Sequence, residues 1–149
     1  MVAAAPKAYF DTSVLVKGYL GEDGSRLARD LTRRFRLVSC AIVYLEAASA
    51  FSRRRVAGEI DERAYQATTA RLRADRAHWE LVGVNDSLLT RAEEVITRTT
   101  VRALDALHIA AALVFQESSG MRLPFITADA RQANAARSMG LQVTPVPPA

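Results

Sequence analysis

One cysteine, Cys40, occurs in 149 residues, so no internal disulfide can form. Its place after the apolar pair Leu37 and Val38 marks it as a small core residue. Only two histidines are present, His78 and His108, and neither has a partner at metal-ligand spacing. With no Cys/His zinc pattern, any bound metal has to be held by oxygen, which selects hard cations such as magnesium or manganese. Lysine is equally scarce. Lys7 and Lys17 both lie near the start, which counts against a phosphoacceptor signalling domain, where a late lysine accompanies the strand-end aspartate. No apolar run approaches the roughly 18 to 20 residues that cross a bilayer. The start, MVAAAPKAYFD, lacks the basic-then-apolar order of a signal peptide. A cytoplasmic location is therefore expected.

What remains is the composition of an ordinary soluble protein, 50% hydrophobic and 24% charged. The length predicts one domain over 1–149, large enough to bury a proper core. The formal charge is +4, and all but two of the 20 basic residues are arginine. The planar guanidinium fork suits phosphate, so a nucleic-acid partner is permitted by the charge, though not established by it.

No internal repeat or low-complexity segment interrupts the chain. Short apolar runs at 8–11, 36–39, 81–84, 123–127 and 142–146 read as strands. Helical patterns fall at 13–20, 24–35, 41–56, 61–79, 86–98, 102–118 and 129–139. Ser25 or Gly24 is the expected cap of the second helix, and Asp86 or Ser87 that of the fifth. Alternating strands and helices imply a parallel sheet covered on both faces. The helix pair around 41–79 reads as an insertion on that scheme.

Four carboxylates stand out. Asp11 ends the apolar run AYFD, and Asp129 lies two residues beyond the run ending at Thr127. Ligands collect beyond the carboxyl ends of parallel strands. Glu46 shares a helical face with Ile42, Leu45, Ser49 and Ala50, and Asp105 shares one with Val101, Leu104, His108, Ile109 and Ala112. An unpaired buried carboxylate costs several kcal/mol, so such groups are paired or bind metal.

Each acid also has a plainer role open to it. Asp11 and Asp129 could cap the helices that follow. Asp105 could offset a helix dipole, and Glu46 could pair with Arg53. Taken together, the four are economically explained by a shared divalent cation, which keeps clustered carboxylates ionised and activates water for phosphodiester cleavage. His108 reads as a satisfied core histidine or a general base, and His78 as a helix-end surface residue. Arg102, one turn before Asp105, is placed to hold a scissile phosphate, to balance the acidic charge or to sit solvated at the helix start. The run Arg53–Arg55 is a solvated face, the lining of an RNA track or a surface that meets an acidic partner. Thr12, Ser13 and Thr127 are hydroxyls at strand ends that orient carboxylates or cap helices.

YFDTSVLVK at 9–17, IVYLEAASAFSRRR at 42–55, RALDALHIAAAL at 102–113 and ITADARQANAARSMGL at 126–141 together resemble the PIN-domain ribonucleases. The likeness runs through about residues 8–146 and is greatest to the VapC toxins of VapBC toxin–antitoxin modules. It implies an α/β/α sandwich with a parallel sheet of about five strands. It also implies a magnesium- or manganese-dependent endoribonuclease that cuts RNA and blocks translation. Carried over by motif, Asp11 and Asp105 are the principal metal ligands. Glu46 and Asp129 complete the catalytic site directly or through water, and Ser13 and Thr127 are its hydroxyl support. The family resemblance further implies a homodimer silenced by a small VapB-like antitoxin that places a basic side chain in the acidic pocket. The alternatives are a PIN nuclease of RNA maturation or decay and a non-catalytic RNA- or protein-binding PIN module. The absence of an accessory domain argues against the first and four intact acids against the second.

Overall fold

The computed structural model describes residues 3–146. In chain order the elements are β1 (Lys7–Phe10), α1 (Thr12–Tyr19), α2 (Ser25–Arg34), β2 (Arg36–Cys40), α3 (Val43–Val56) and α4 (Glu62–Arg76). Then follow β3 (Glu80–Val82), α5 (Asp86–Thr99), α6 (Ala103–Ser119), β4 (Phe125–Thr127), α7 (Ala130–Ser138) and β5 (Val143–Pro145). The Pro-rich end at 147–149 lies outside the described residues.

Every strand pairing is parallel, in the order β3-β2-β1-β4-β5. The expected α/β/α sandwich with a five-stranded parallel sheet is therefore the fold. The chain lays strands outward from β1 through β2 to β3, then returns to place β4 on the other side of β1. At that reversal the loops after β1 and β4 part and leave a crevice beyond the carboxyl ends of the strands. Asp11 and Asp129 stand at its two lips.

Successive residues of a strand point to opposite faces, and the sequence supplies apolar side chains for both. Ala8 and Phe10 meet Val14, Leu15, Ala28 and Leu31 of α1 and α2 on one face. Tyr9, Val38 and Phe125 meet Ala106, Ile109, Ala110 and Leu113 of α6 on the other. Tyr9 and Phe125 lie face to face, with ring centroids 5.2 Å apart. Alanine dominates the buried side of α6, where it favours the helix and lets its axis approach the sheet closely. That helix stops at Gly120, whose φ of 70° is the left-handed cap conformation in which glycine is unstrained. The pair α3 and α4 closes a third apolar cluster through Ala47, Phe51 and Leu72 against Leu20 at the end of α1.

Boundaries differ from expectation by one to three residues, each for a local reason. The fifth helix is capped by Asn85, which accepts from the Leu88 amide, rather than by Asp86 or Ser87. At the start of α2 the cap is Gly24 (φ 85°), with no side-chain bond. The strand β4 begins only after Pro124, which has no N–H to give a ladder, although its carbonyl still accepts from the Tyr9 amide at 2.8 Å. Cys40 is fully buried, as its setting implied.

Candidate active site

The four acids reach one cleft from four elements: Asp11 from the β1–α1 junction, Glu46 from α3, Asp105 from α6 and Asp129 from the β4–α7 junction. All four line a hollow of about 740 Å³ that also includes Thr12, Ser13 and Lys17. Another hollow, about 520 Å³, lies towards the amino ends of the strands between Arg36 and Trp79, and its one acid is Asp75. Chemistry that needs several carboxylates has its place in the first.

Asp11 is 5% exposed and held by donors on both oxygens. Its Oδ2 accepts from the Ser13 amide (3.1 Å), the Ser13 hydroxyl (2.6 Å) and the Thr127 hydroxyl (3.3 Å). Its Oδ1 accepts from the Gln132 amide side chain at 3.2 Å. A carboxylate so surrounded stays fixed in direction. Asp129 caps α7, its Oδ1 accepting from the amides of Arg131 (2.9 Å) and Gln132 (3.2 Å). Both strand-end acids therefore cap helices and face the cleft at once; the two roles coexist.

Glu46 does not pair with Arg53, whose guanidinium instead donates to the Ser49 hydroxyl at 2.7 Å. It accepts from the Thr12 hydroxyl at 2.8 Å and faces His108 Nε2 at 2.6 Å. Since a carboxylate only accepts, Nε2 carries the proton in that contact. The other ring nitrogen, Nδ1, lies 2.7 Å from the hydroxyl of Tyr9. Burial holds that hydroxyl well above the usual range, so it keeps its proton. Burial alone would lower the proton affinity of His108, but the charge of Asp11 and the bond to Glu46 outweigh it, and the net direction is upward. Both ring nitrogens are occupied, so His108 is a buried strut of the acidic site and not a free general base. His78, by contrast, is exposed at a helix end, as expected.

Asp105 differs from the other three. It is half-buried, and burial together with the charges of Asp11 and Asp129 pushes its pKa from 3.8 up to about 6. That rise records burial first and then the charge of the neighbouring carboxylates, which His108 offsets only in part. Among the described residues no three His, Cys, Asp or Glu side chains are grouped so as to hold a metal ion between them. The donor set still suits a hard cation: oxygens from separate elements, with the only nearby imidazole engaged elsewhere.

Three contributors escaped the sequence reading. Gln132, wholly buried, bridges Asp11 and the Thr127 hydroxyl (2.7 Å). Its signal was a polar side chain among the alanines of α7, three residues after Asp129. Lys17 is 6% exposed and donates to the Asp23 carbonyl at 3.0 Å. Tyr9 gave no sign of its role, because its partner is 99 residues away.

The family model of the PIN domain matches residues 8–138. The chain belongs to the PIN-domain family. PIN domains are generally nucleases, which makes the acidic cleft the place to look for phosphodiester chemistry. Two solved structures share the fold. A toxin-antitoxin complex from Klebsiella pneumoniae aligns with a TM-score of 0.62 at 17% identity, over 83% of this chain and 87% of the other. FitAcB from Neisseria gonorrhoeae aligns with a TM-score of 0.64 at 16% identity, over 91% of this chain and 95% of the other. No curated protein sequence matches the chain.

Proposed function

We propose that this PIN domain is a magnesium- or manganese-dependent endoribonuclease and the toxin of a type II toxin–antitoxin module. The observation that carries the reading is the convergence of four carboxylates at the sheet's reversal point, with Asp105 pushed up to about 6 by burial and then by its acidic neighbours. Asp11 and Asp105 would hold the cation, with Glu46 and Asp129 completing the shell directly or through water. When bound, the cation supplies a water nucleophile at neutral pH and stabilises the leaving oxygen.

The protein's own residues do the positioning. Ser13, Thr127 and Gln132 hold the Asp11 carboxylate in one direction, and Thr12 and His108 do the same for Glu46. Asp129, fixed by the first turn of α7, closes the far lip. Attack on phosphorus would be in line, and cleavage of RNA would block translation.

In this reading the protein is a single domain that acts in the cytoplasm as a homodimer. A small VapB-like antitoxin would silence it by placing a basic side chain among the acids. Support comes from the family and from folds shared with proteins of toxin–antitoxin complexes. Consistent with it, no helix among the described residues is long and apolar enough to cross a membrane. The test is cleavage of RNA by purified protein with magnesium or manganese, together with inducible expression of wild type and Asp11→Asn in a bacterium. Discrete cuts, chelator sensitivity and growth arrest by wild type alone are expected. Cleavage that survives chelation or Asp11→Asn would contradict the reading.

A further inference from the structure

The arginines around the acids are not equivalent. Arg53 and Arg54 line one wall of the acidic cleft, a wall whose arginines the sequence leaves open as a solvated face, an RNA track or a contact for an acidic partner. There Arg54 is already bound to Glu22 (2.8 Å) and Glu59 (3.0 Å), and the neighbouring Arg55, outside the cleft lining, to Glu62 (3.5 Å). Arg53 is in no ion pair among the described residues and donates to the Ser49 hydroxyl (2.7 Å), so this wall offers one unpaired guanidinium. Guanidiniums held by carboxylates are poor recruits for phosphate, since each new contact has to displace an existing one.

On the other side a hollow of about 860 Å³ opens from the same site and shares Asp105 and Asp129 with it. Three exposed arginines line this hollow: Arg98 from the last turn of α5, Arg102 at the cap of α6 and Arg131 in the first turn of α7. Among the described residues none of the three is in an ion pair. Two helix N-termini, those of α6 and α7, meet at the same place, and α6 has no side-chain cap. Each end carries its own carboxylate, Asp105 in the first turn of α6 and Asp129 capping α7, so the positive charge of the hollow comes from the three arginines. The Thr99, Asn134 and Ser138 side chains provide further polar lining.

We infer that Arg98, Arg102 and Arg131 bind the phosphates of an unpaired RNA strand on one flank of the scissile bond, making this hollow the substrate's positioning subsite. The inference rests on the ribonuclease reading of the acidic cleft. Asp11 is only 5% exposed, so the reacting backbone has to bend inward to reach it. An unpaired strand does so readily, and a stiff duplex does not. Cationic contacts leave the sequence unread but fix the register of the strand.

The test compares wild type with Arg98→Gln/Arg102→Gln/Arg131→Gln on an unstructured RNA oligonucleotide of mixed sequence, over a series of salt concentrations. Each phosphate contact on a single strand contributes about 0.7 to the slope of log affinity against log salt. The triple variant should therefore lose about 2 from the slope of log KM. Its KM should rise by about tenfold or more at low salt, with kcat within about twofold of wild type. Lysine at the same three positions should restore most of the slope, whereas Arg55→Gln should leave KM unmoved. Shortening the RNA from one end should raise KM for wild type and not for the triple glutamine variant, and a fully paired duplex should be cut poorly. Wild-type KM and slope in the triple variant would overturn the assignment while leaving the ribonuclease reading intact. A wild type that cuts no RNA under any of these conditions would instead overturn both.

Discussion

Replacing Asp105 with asparagine should stabilise the metal-free protein at neutral pH while abolishing its activity. The carboxyl titrates near 3.8 in the unfolded chain and at about 6 in the folded one, because burial and the charges of Asp11 and Asp129 oppose its ionisation. The folded state therefore binds the proton more tightly. Stability is fully present below the unfolded value, falls as pH rises through the folded one, and stays reduced above it. At roughly 1.4 kcal/mol per tenfold change in proton affinity, the ceiling on this cost is about 3 kcal/mol. The group is half-exposed, and solvent screening leaves about 1 kcal/mol of it. In a chain of this length that corresponds to a gain of about 2 to 4 °C in Tm for Asp105→Asn.

Thermal unfolding followed by circular dichroism with a chelator, at about pH 7.5 and again at about pH 4, measures it. The variant should melt higher at neutral pH, and the gap should close at acid pH. Saturating magnesium or manganese should reverse the order. At a hundredfold excess over Kd, binding adds about 2.7 kcal/mol to the wild type, and the variant should gain much less. A variant that melts below wild type in chelator at neutral pH, or a gap unchanged by acid, would refute the reasoning.

Gln132→Ala should cost about 1 to 3 kcal/mol, because it removes a buried amide bonded to Asp11 and Thr127; kcat should fall more than KM rises, and an unchanged kcat would count against a positioning role. Phe51→Ala should destabilise the protein by about 3 to 5 kcal/mol, seen in chemical denaturation, since it empties the cluster between α3, α4 and Leu20.

Much of this was legible in the sequence because it is written in local pattern. Apolar runs and helical spacing placed the strands and helices. The faces of Glu46 and Asp105 that read as core-facing are instead walls of the open cleft, where Leu45 is 72% and Leu104 50% exposed. The residues that α3 buries are Val43, Ala47 and Phe51. Asp11 and Asp129 were ambiguous as cap or site residue, and the structure shows why: a strand-end aspartate can use one oxygen on the next helix while facing the crevice. The order β3-β2-β1-β4-β5 was not legible, since alternation implies parallel strands without saying where the chain reverses. Contacts distant in sequence were also hidden. The network from Tyr9 through His108 to Glu46 and Thr12 joins residues up to 99 positions apart, and no spacing rule reaches that far. Ion pairing was hidden for the same reason. Arg53–Arg55 read as a solvated face, an RNA track or a meeting point for an acidic partner, and nothing in the spacing shows that Glu22, 32 residues from Arg54, pairs with that one guanidinium.

The central claim is that carboxylates from separate elements form one cation site. Titrating manganese into metal-free wild type, Asp11→Asn and Asp105→Asn, with bound ion read by electron paramagnetic resonance, tests it most directly. Saturable binding by wild type and its loss in both folded variants is the predicted result. Equal binding by all three, or none by wild type, would contradict it.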